Sequence, residues 1–422
     1  AEMAICASPT TGGTPCGQID LDLLIADVVI MLECAGQCDA HHYGLSEGPL
    51  VVAGNGAFEF DLGFLHALHL PYLYAQGERA FRDAADDYAD AFERRAGDDA
   101  APAPVIDPEF EAAILAEFGI GLEDLVALEW EMAEAALTSG SPFLGLRKSE
   151  LLARVSEGDR AARVDRDRFY QSLVLRPRPV WNEDKPQGAL AKDWHPWRVN
   201  RKLSLMRRPM IQIDEGDDPE VLIFPALLAR TVRRAFQLID ARLPSTMFDT
   251  RAVDRWLGKV VDERGHAFNI RVRDALRGLG YQAEADVLMT RLGGDKALGD
   301  IDVLAWRPGT SEVWAIECKR LLIDRTVGEI GERLADYTTP GKRNGKRTLI
   351  QKHLDRLDCL RVRPDGLAKL VGLPAAEMVV RAALVTDALV PMQFTGRMLD
   401  LVDRVCEFRS LADAFAIAPA GD

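Results

Sequence analysis

The sequence predicts a mixed α/β protein, with a carboxy-terminal core in the order αβββαβ preceded by a largely α-helical amino-terminal region. Three observations carry this. Residues 299–319, GDIDVLAWRPGTSEVWAIECK, read as two apolar strands joined by a tight reversal at Pro308 and Gly309. Just upstream, Phe268, Val272, Ala275, Leu276 and Leu279 recur at helical spacing, and Gly280 supplies the stop. Residues 378–386, MVVRAALVT, form the continuous apolar run of a strand buried on both faces.

The remaining elements follow in chain order. The acidic stretch ERAFRDAADDYADAFERR is helical, and the linker AGDDAAPAPVIDP separates it from further helices in FEAAILAEF and LEDLVALEWEMAEAAL. Short strands are expected around SLVLRPRPVW and MIQIDEG, and helix returns in ALLARTVRRAFQLIDARL. Tyr281 to Met289 reads as the first core strand, ahead of the hairpin. Thr326 and Glu329 have capping-box spacing for a helix through about Tyr337, and Ile350, Leu354, Leu357 and Leu360 make another helical stripe. The expected division is therefore an acidic, mostly helical domain at 1–105, a helical and mixed region at 106–248, and the core at 249–422.

A hairpin centred between Gly309 and Thr310 sets Asp302 opposite Glu317 and Asp300 opposite Lys319, with all four side chains on one face. Facing carboxylates would have Cβ atoms roughly 4.5–5.5 Å apart, which is unfavourable unless a cation lies between them. Magnesium or manganese, which take oxygen ligands, suits that place. A lysine two residues beyond the second acid can orient or deprotonate a metal-bound water and offset charge in a phosphorane-like transition state.

The segments GDIDV at 299–303 and ECK at 317–319, on adjacent strands, resemble the PD-(D/E)XK nuclease superfamily. The resemblance covers residues 249–422 and implies a restriction-endonuclease-like core akin to Holliday-junction resolvases. It implies Mg²⁺ (or Mn²⁺) held by Asp302, Glu317 and the Cys318 carbonyl, with Lys319 positioning the attacking water and Asp300 restraining Lys319. One position departs from the pattern. The family's helical glutamate falls on Asn269, and Glu263 substitutes only if the helix breaks at Gly265. The activity implied is metal-dependent hydrolysis of phosphodiester bonds, of DNA by analogy with the family, in antiviral defence or repair. The alternative is a catalytically weakened nuclease-fold subunit that binds nucleic acid or partner proteins, with the acidic amino-terminal half as sensor or regulator.

Net charge of -15 would exclude a nucleic-acid enzyme only if it were evenly spread. It is not. The first 140 residues carry 4 basic and 26 acidic residues, whereas residues 251–422 carry 27 basic against 25 acidic. Phosphate contact needs local positive charge, which PGKRNGKR offers through Lys342, Arg343, Lys346 and Arg347. A second basic cluster, RVNRKLSLMRR, holds Arg198, Arg201, Lys202, Arg207 and Arg208. The acidic end suits a basic protein partner, and an oligomer is compatible with the sequence. Cys34, Cys38, His41 and His42 are zinc-type ligands, but their spacing is not that of a zinc module and Cys34 continues an apolar stripe. The seven cysteines are odd in number and scattered, and LLIADVVIML is too short for a membrane span; a cytoplasmic protein is expected.

Overall fold

The computed structural model describes residues 16–48, 51–54, 58–59, 63–93, 107–178, 195, 203–239, 248, 250–321, 324, 326–343 and 345–416. The chain is mixed α/β, and its residues gather into two compact units, 1–32 with 100–261, and 33–99 with 262–422. No helix among the described residues is long and apolar enough to cross a membrane.

This division differs from the expected cuts at 105 and 248. The reason is burial. Leu68 and Tyr72, from the acid-rich segment, join the same buried cluster as Leu304, Val313 and Leu384 of the core. The helix Leu70–Glu93 leaves Glu78 exposed and turns Tyr72 into that core. Tyr43 also packs there, close enough to Gly331 that a Cβ at residue 331 would meet its ring at 2.4 Å.

In the first unit, Asp107 caps the helix Pro108–Phe118 by accepting the Glu109 N–H at 2.9 Å, and Gly119 ends that helix with φ +72°. Glycine is required there, since a Cβ would meet the Phe169 backbone nitrogen at 2.4 Å. The helices Leu122–Ser139 and Pro225–Ile239 pack on each other, and the former meets the first strand of a four-stranded sheet in the order Leu144–Arg147, Glu220–Ile223, Met210–Gln212, Val174–Leu175.

In the second unit a five-stranded sheet is built from β1 (Gln282–Leu288), β2 (Asp300–Trp306), β3 (Glu312–Lys319), β4 (Val379–Thr386) and β5 (Arg404–Glu407). Its spatial order is β5-β4-β3-β2-β1. The first three strands are antiparallel neighbours, while β4 lies parallel to both β3 and β5. Before β1 comes α1 (Arg251–Gly278), and between β3 and β4 come α2 (Val327–Thr338) and α3 (Leu349–Val362). The order helix, three strands, helices, strand is thus present, extended by β5 and a two-residue-per-strand hairpin at 342–347.

Both sheet faces are covered. Phe268, Val272 and Leu276 of α1 pack on Val303, Trp314 and Ile316, whereas Ile330 and Leu334 of α2 and Leu357 of α3 pack on Leu304, Val313 and Ala315. The Thr326–Glu329 capping box forms, with both hydrogen bonds at 3.2 Å.

Candidate functional site

The hairpin adopts the expected register. Val303 pairs with Ile316, Leu304 with Ala315, Ala305 with Trp314 and Trp306 with Val313. Gly309 takes φ +80° at the reversal. The ladder stops one step before Asp302 and Glu317, and the Cys318 N–H donates to Asp302 Oδ2 at 2.8 Å. On the other side of β2, Ala285 pairs with Val303 and Val287 with Ile301, skipping Asp286 and Asp302. Asp286 has φ +53°, a left-handed conformation that costs a non-glycine residue about 1 kcal/mol. The ladder of β2 is therefore interrupted at Asp302 towards both neighbours, β1 and β3.

That interruption corrects one expectation. Ile301 joins the cluster of Leu304 rather than that of Val303, so alternation slips at Asp302 and Asp300 comes to face away from Lys319. On its other side, towards β1, Asp300 pairs along the ladder with Leu288. Lys319 Nζ lies 3.1 Å from Asp302 Oδ2 and 2.8 Å from Glu317 Oε1, so the two carboxylates share one ammonium.

The electrostatics divide the roles. Burial disfavours charge on Lys319, but Glu317 and Asp302 outweigh it and raise its pKa, keeping it an ammonium. The sequence left open deprotonation of water by this lysine; a raised pKa leaves it to act through its charge. Burial also opposes charge on Glu317, yet Lys319, His353 and Arg356 hold its pKa well below the ordinary carboxylate range. Asp302 goes the other way: burial first, and then the Glu317 charge, raise its pKa.

Arg356 and His353 were not foreseen. Both lie on α3, three residues apart and hence on one face, with Arg356 Nη1 2.7 Å and His353 Nδ1 3.4 Å from Glu317 Oε2. Arg356 Nε also donates to the Leu298 carbonyl at 2.8 Å, which fixes the guanidinium. The available signal was a cation and an imidazole within an otherwise apolar stripe. It named no partner.

Asn269 donates through Nδ2 to Asp286 Oδ1 at 2.6 Å, and His266 Nδ1 contacts Asp286 Oδ2. Asn269 is thus tied to the strained residue of β1 rather than to Asp302 or Glu317. Glu263 is exposed on a helix unbroken through Gly265, so the condition for its substitution is not met.

Among the expected basic contacts, Lys346 and Arg347 are exposed, with Arg347 Nη1 2.8 Å from Asp355 Oδ2. Lys342 and Arg343 pair with them in backbone register, but their side chains lie outside the described residues. Of the second cluster, Arg198, Arg201 and Lys202 lie outside the described residues as well. Arg207 is corrected to a structural role: it is buried, donates to the Ser172 carbonyl at 3.0 Å and pairs with Glu117. Cys34, Cys38, His41 and His42 are strung along the helix Gln18–His42.

The divalent cation that the resemblance implies needs oxygen donors gathered at one place. Among the described residues no group of three or more His, Cys, Asp or Glu side chains is gathered to hold a metal. Asp302 and Glu317 nevertheless offer hard oxygen donors, and Asp302 Oδ1 takes no hydrogen bond among the described residues. Two carboxylates, the Cys318 carbonyl and water fit magnesium, which usually retains several waters. Lys319 and Arg356 already pair with these carboxylates, so a cation would compete with both for their oxygens.

Residues 1–406 match the model of a family described as Upx-like anti-phage proteins. No curated protein and no solved structure matches the chain.

Proposed function

We propose that this chain, which belongs to the family of Upx-like anti-phage proteins, defends against phage by hydrolysing phosphodiester bonds, with DNA as the substrate. The observation that carries the reading is the convergence of Asp302, Glu317 and Lys319 where the ladder of β2 is interrupted, so that two acids share one ammonium. The fold is read as restriction-endonuclease-like, supported by the order of α1, β1–β3, α2, α3 and β4.

In this reading Lys319 stays charged and sits against a non-bridging phosphate oxygen, where charge grows in the transition state. Glu317 is the fixed anion, locked by Arg356. Asp302 has the higher proton affinity of the two acids and a free Oδ1, so it is the better acceptor for the proton of an attacking water. A bound Mg²⁺ or Mn²⁺, held by Asp302, Glu317 and the Cys318 carbonyl, would supply Lewis acidity to the phosphate. Lys346 and Arg347 offer phosphate contacts outside the reacting atoms.

A second reading has one observation in its favour. Arg356 and Lys319 neutralise the acids without any metal, and Asn269 stands where the resembled family carries a glutamate, as suits a nuclease-fold subunit that binds nucleic acid or a protein partner without cutting. Incubating the purified full chain with supercoiled and linear phage DNA separates the two. Cleavage that requires Mg²⁺ or Mn²⁺ and stops with chelator supports hydrolysis, whereas retained DNA left intact with either metal supports the binding subunit.

A further inference from the structure

The first unit contains a cleft that the nuclease reading does not use. It has a volume of about 670 Å³, and its described lining includes Lys148, Arg168, Arg176, Arg178 and Arg208 besides the acids Asp167 and Asp217. Among the described residues this lining has five cations against two carboxylates, with Asp214 and Asp218 also near Tyr170, while the chain carries -15 overall. The cations come from separate elements. Lys148 opens the helix Lys148–Val155, where the helix dipole adds positive potential, and Arg168 lies on Arg166–Leu173. Arg176 and Arg178 follow the strand Val174–Leu175, and Arg208 precedes Met210–Gln212.

The floor is built rather than loose. Tyr170 is buried and donates its hydroxyl to Gln212 Oε1 at 3.0 Å, while Lys148 Nζ stands 4.8 Å above its ring. Leu175 and Leu203 add apolar lining. Arg168 is committed to Glu117, donating through Nε to its carbonyl at 2.8 Å, so the side chains offered to a ligand are chiefly Lys148 and Arg176. A volume in the range of small-molecule sites, a positive rim and an amphipathic floor match the size and charge of a nucleotide.

We infer that this cleft binds a phosphorylated nucleotide, either free or as the phosphate-bearing end of a nucleic-acid strand, and that it does so independently of Asp302 and Lys319. The ligand's phosphates are held by Lys148 and Arg176, giving an affinity that falls as salt rises.

The test measures binding of the full chain to inorganic triphosphate, ATP and a 5′-phosphorylated single-stranded oligonucleotide at low salt. With triphosphate and ATP as probes, Lys148→Gln/Arg176→Gln is expected to bind at least about tenfold more weakly than wild type, with melting unchanged. Binding of triphosphate and ATP alone assigns a free nucleotide, and binding of the oligonucleotide assigns a strand end. Single-site Lys148→Arg, which keeps the charge, retains binding and keeps the test valid if the double variant misfolds. No binding of any probe overturns the inference, as does binding of triphosphate and ATP that ignores the double variant.

Discussion

Arg356 Nη1 lies 2.7 Å from Glu317 Oε2, while Lys319 Nζ takes the other oxygen of the same carboxylate at 2.8 Å. Glu317 is thereby held ionised in a buried position, and the helix α3 is fastened to the end of β3. Arg356→Ala leaves a buried carboxylate short of one cation, at a cost of about 3 kcal/mol. Urea unfolding measures it; a loss under about 0.5 kcal/mol would mean that the clamp contributes nothing.

Asp302→Asn is expected to stabilise the fold while removing function. Burial and Glu317 raise the folded-state pKa of Asp302 above its unfolded value of about 3.9, so the folded protein holds the proton longer. Its contribution to stability is fully present below the unfolded pKa and is lost as pH rises through the folded value. Melting curves of wild type and Asp302→Asn should therefore converge near pH 4 and separate at pH 7, with the variant melting higher. A variant that melts lower at pH 7 would reverse the sign assigned to this carboxylate.

Gly331→Ala drives a Cβ to within 2.4 Å of the Tyr43 ring and should destabilise by about 1–3 kcal/mol. Tyr43→Ala removes the obstacle, so the double variant should lose less than the two single variants added together. Simple additivity, measured by denaturant unfolding, would separate residues 33–48 from the core unit.

Glu117 is fully buried and accepts from Thr250 through N–H at 2.9 Å and Oγ1 at 2.8 Å, besides pairing with Arg207. Glu117→Ala strands the buried guanidinium, at a cost of about 3–5 kcal/mol. Thermal unfolding checks this, and a shift of a degree or less would show that Arg207 finds another partner.

Local features were legible because they are set by neighbours in sequence. The turn at Pro308 and Gly309 fixes the register of β2 on β3, and the spacing of Thr326 and Glu329 fixes the start of α2. The partner of Lys319 was misassigned because strict alternation has no means of showing the interrupted ladder at Asp302, which is skipped together with the left-handed Asp286 of β1. Arg356 was illegible for a different reason. Its stripe on α3 shows that one face is buried but not that Glu317, 39 residues earlier, lies beneath it. The same limit applies to Leu68 and Tyr72, whose apolar spacing gave no hint that an acid-rich segment completes the core.

The central claim is that Asp302, Glu317 and Lys319 form one hydrolytic site. Single-turnover cleavage of linear phage DNA in Mg²⁺, by wild type beside folded Asp302→Asn and Lys319→Ala, addresses it most directly. The account predicts a rate at least about a hundredfold lower in each variant, the scale of losing one charge-stabilising group. Equal rates in all three proteins would contradict it.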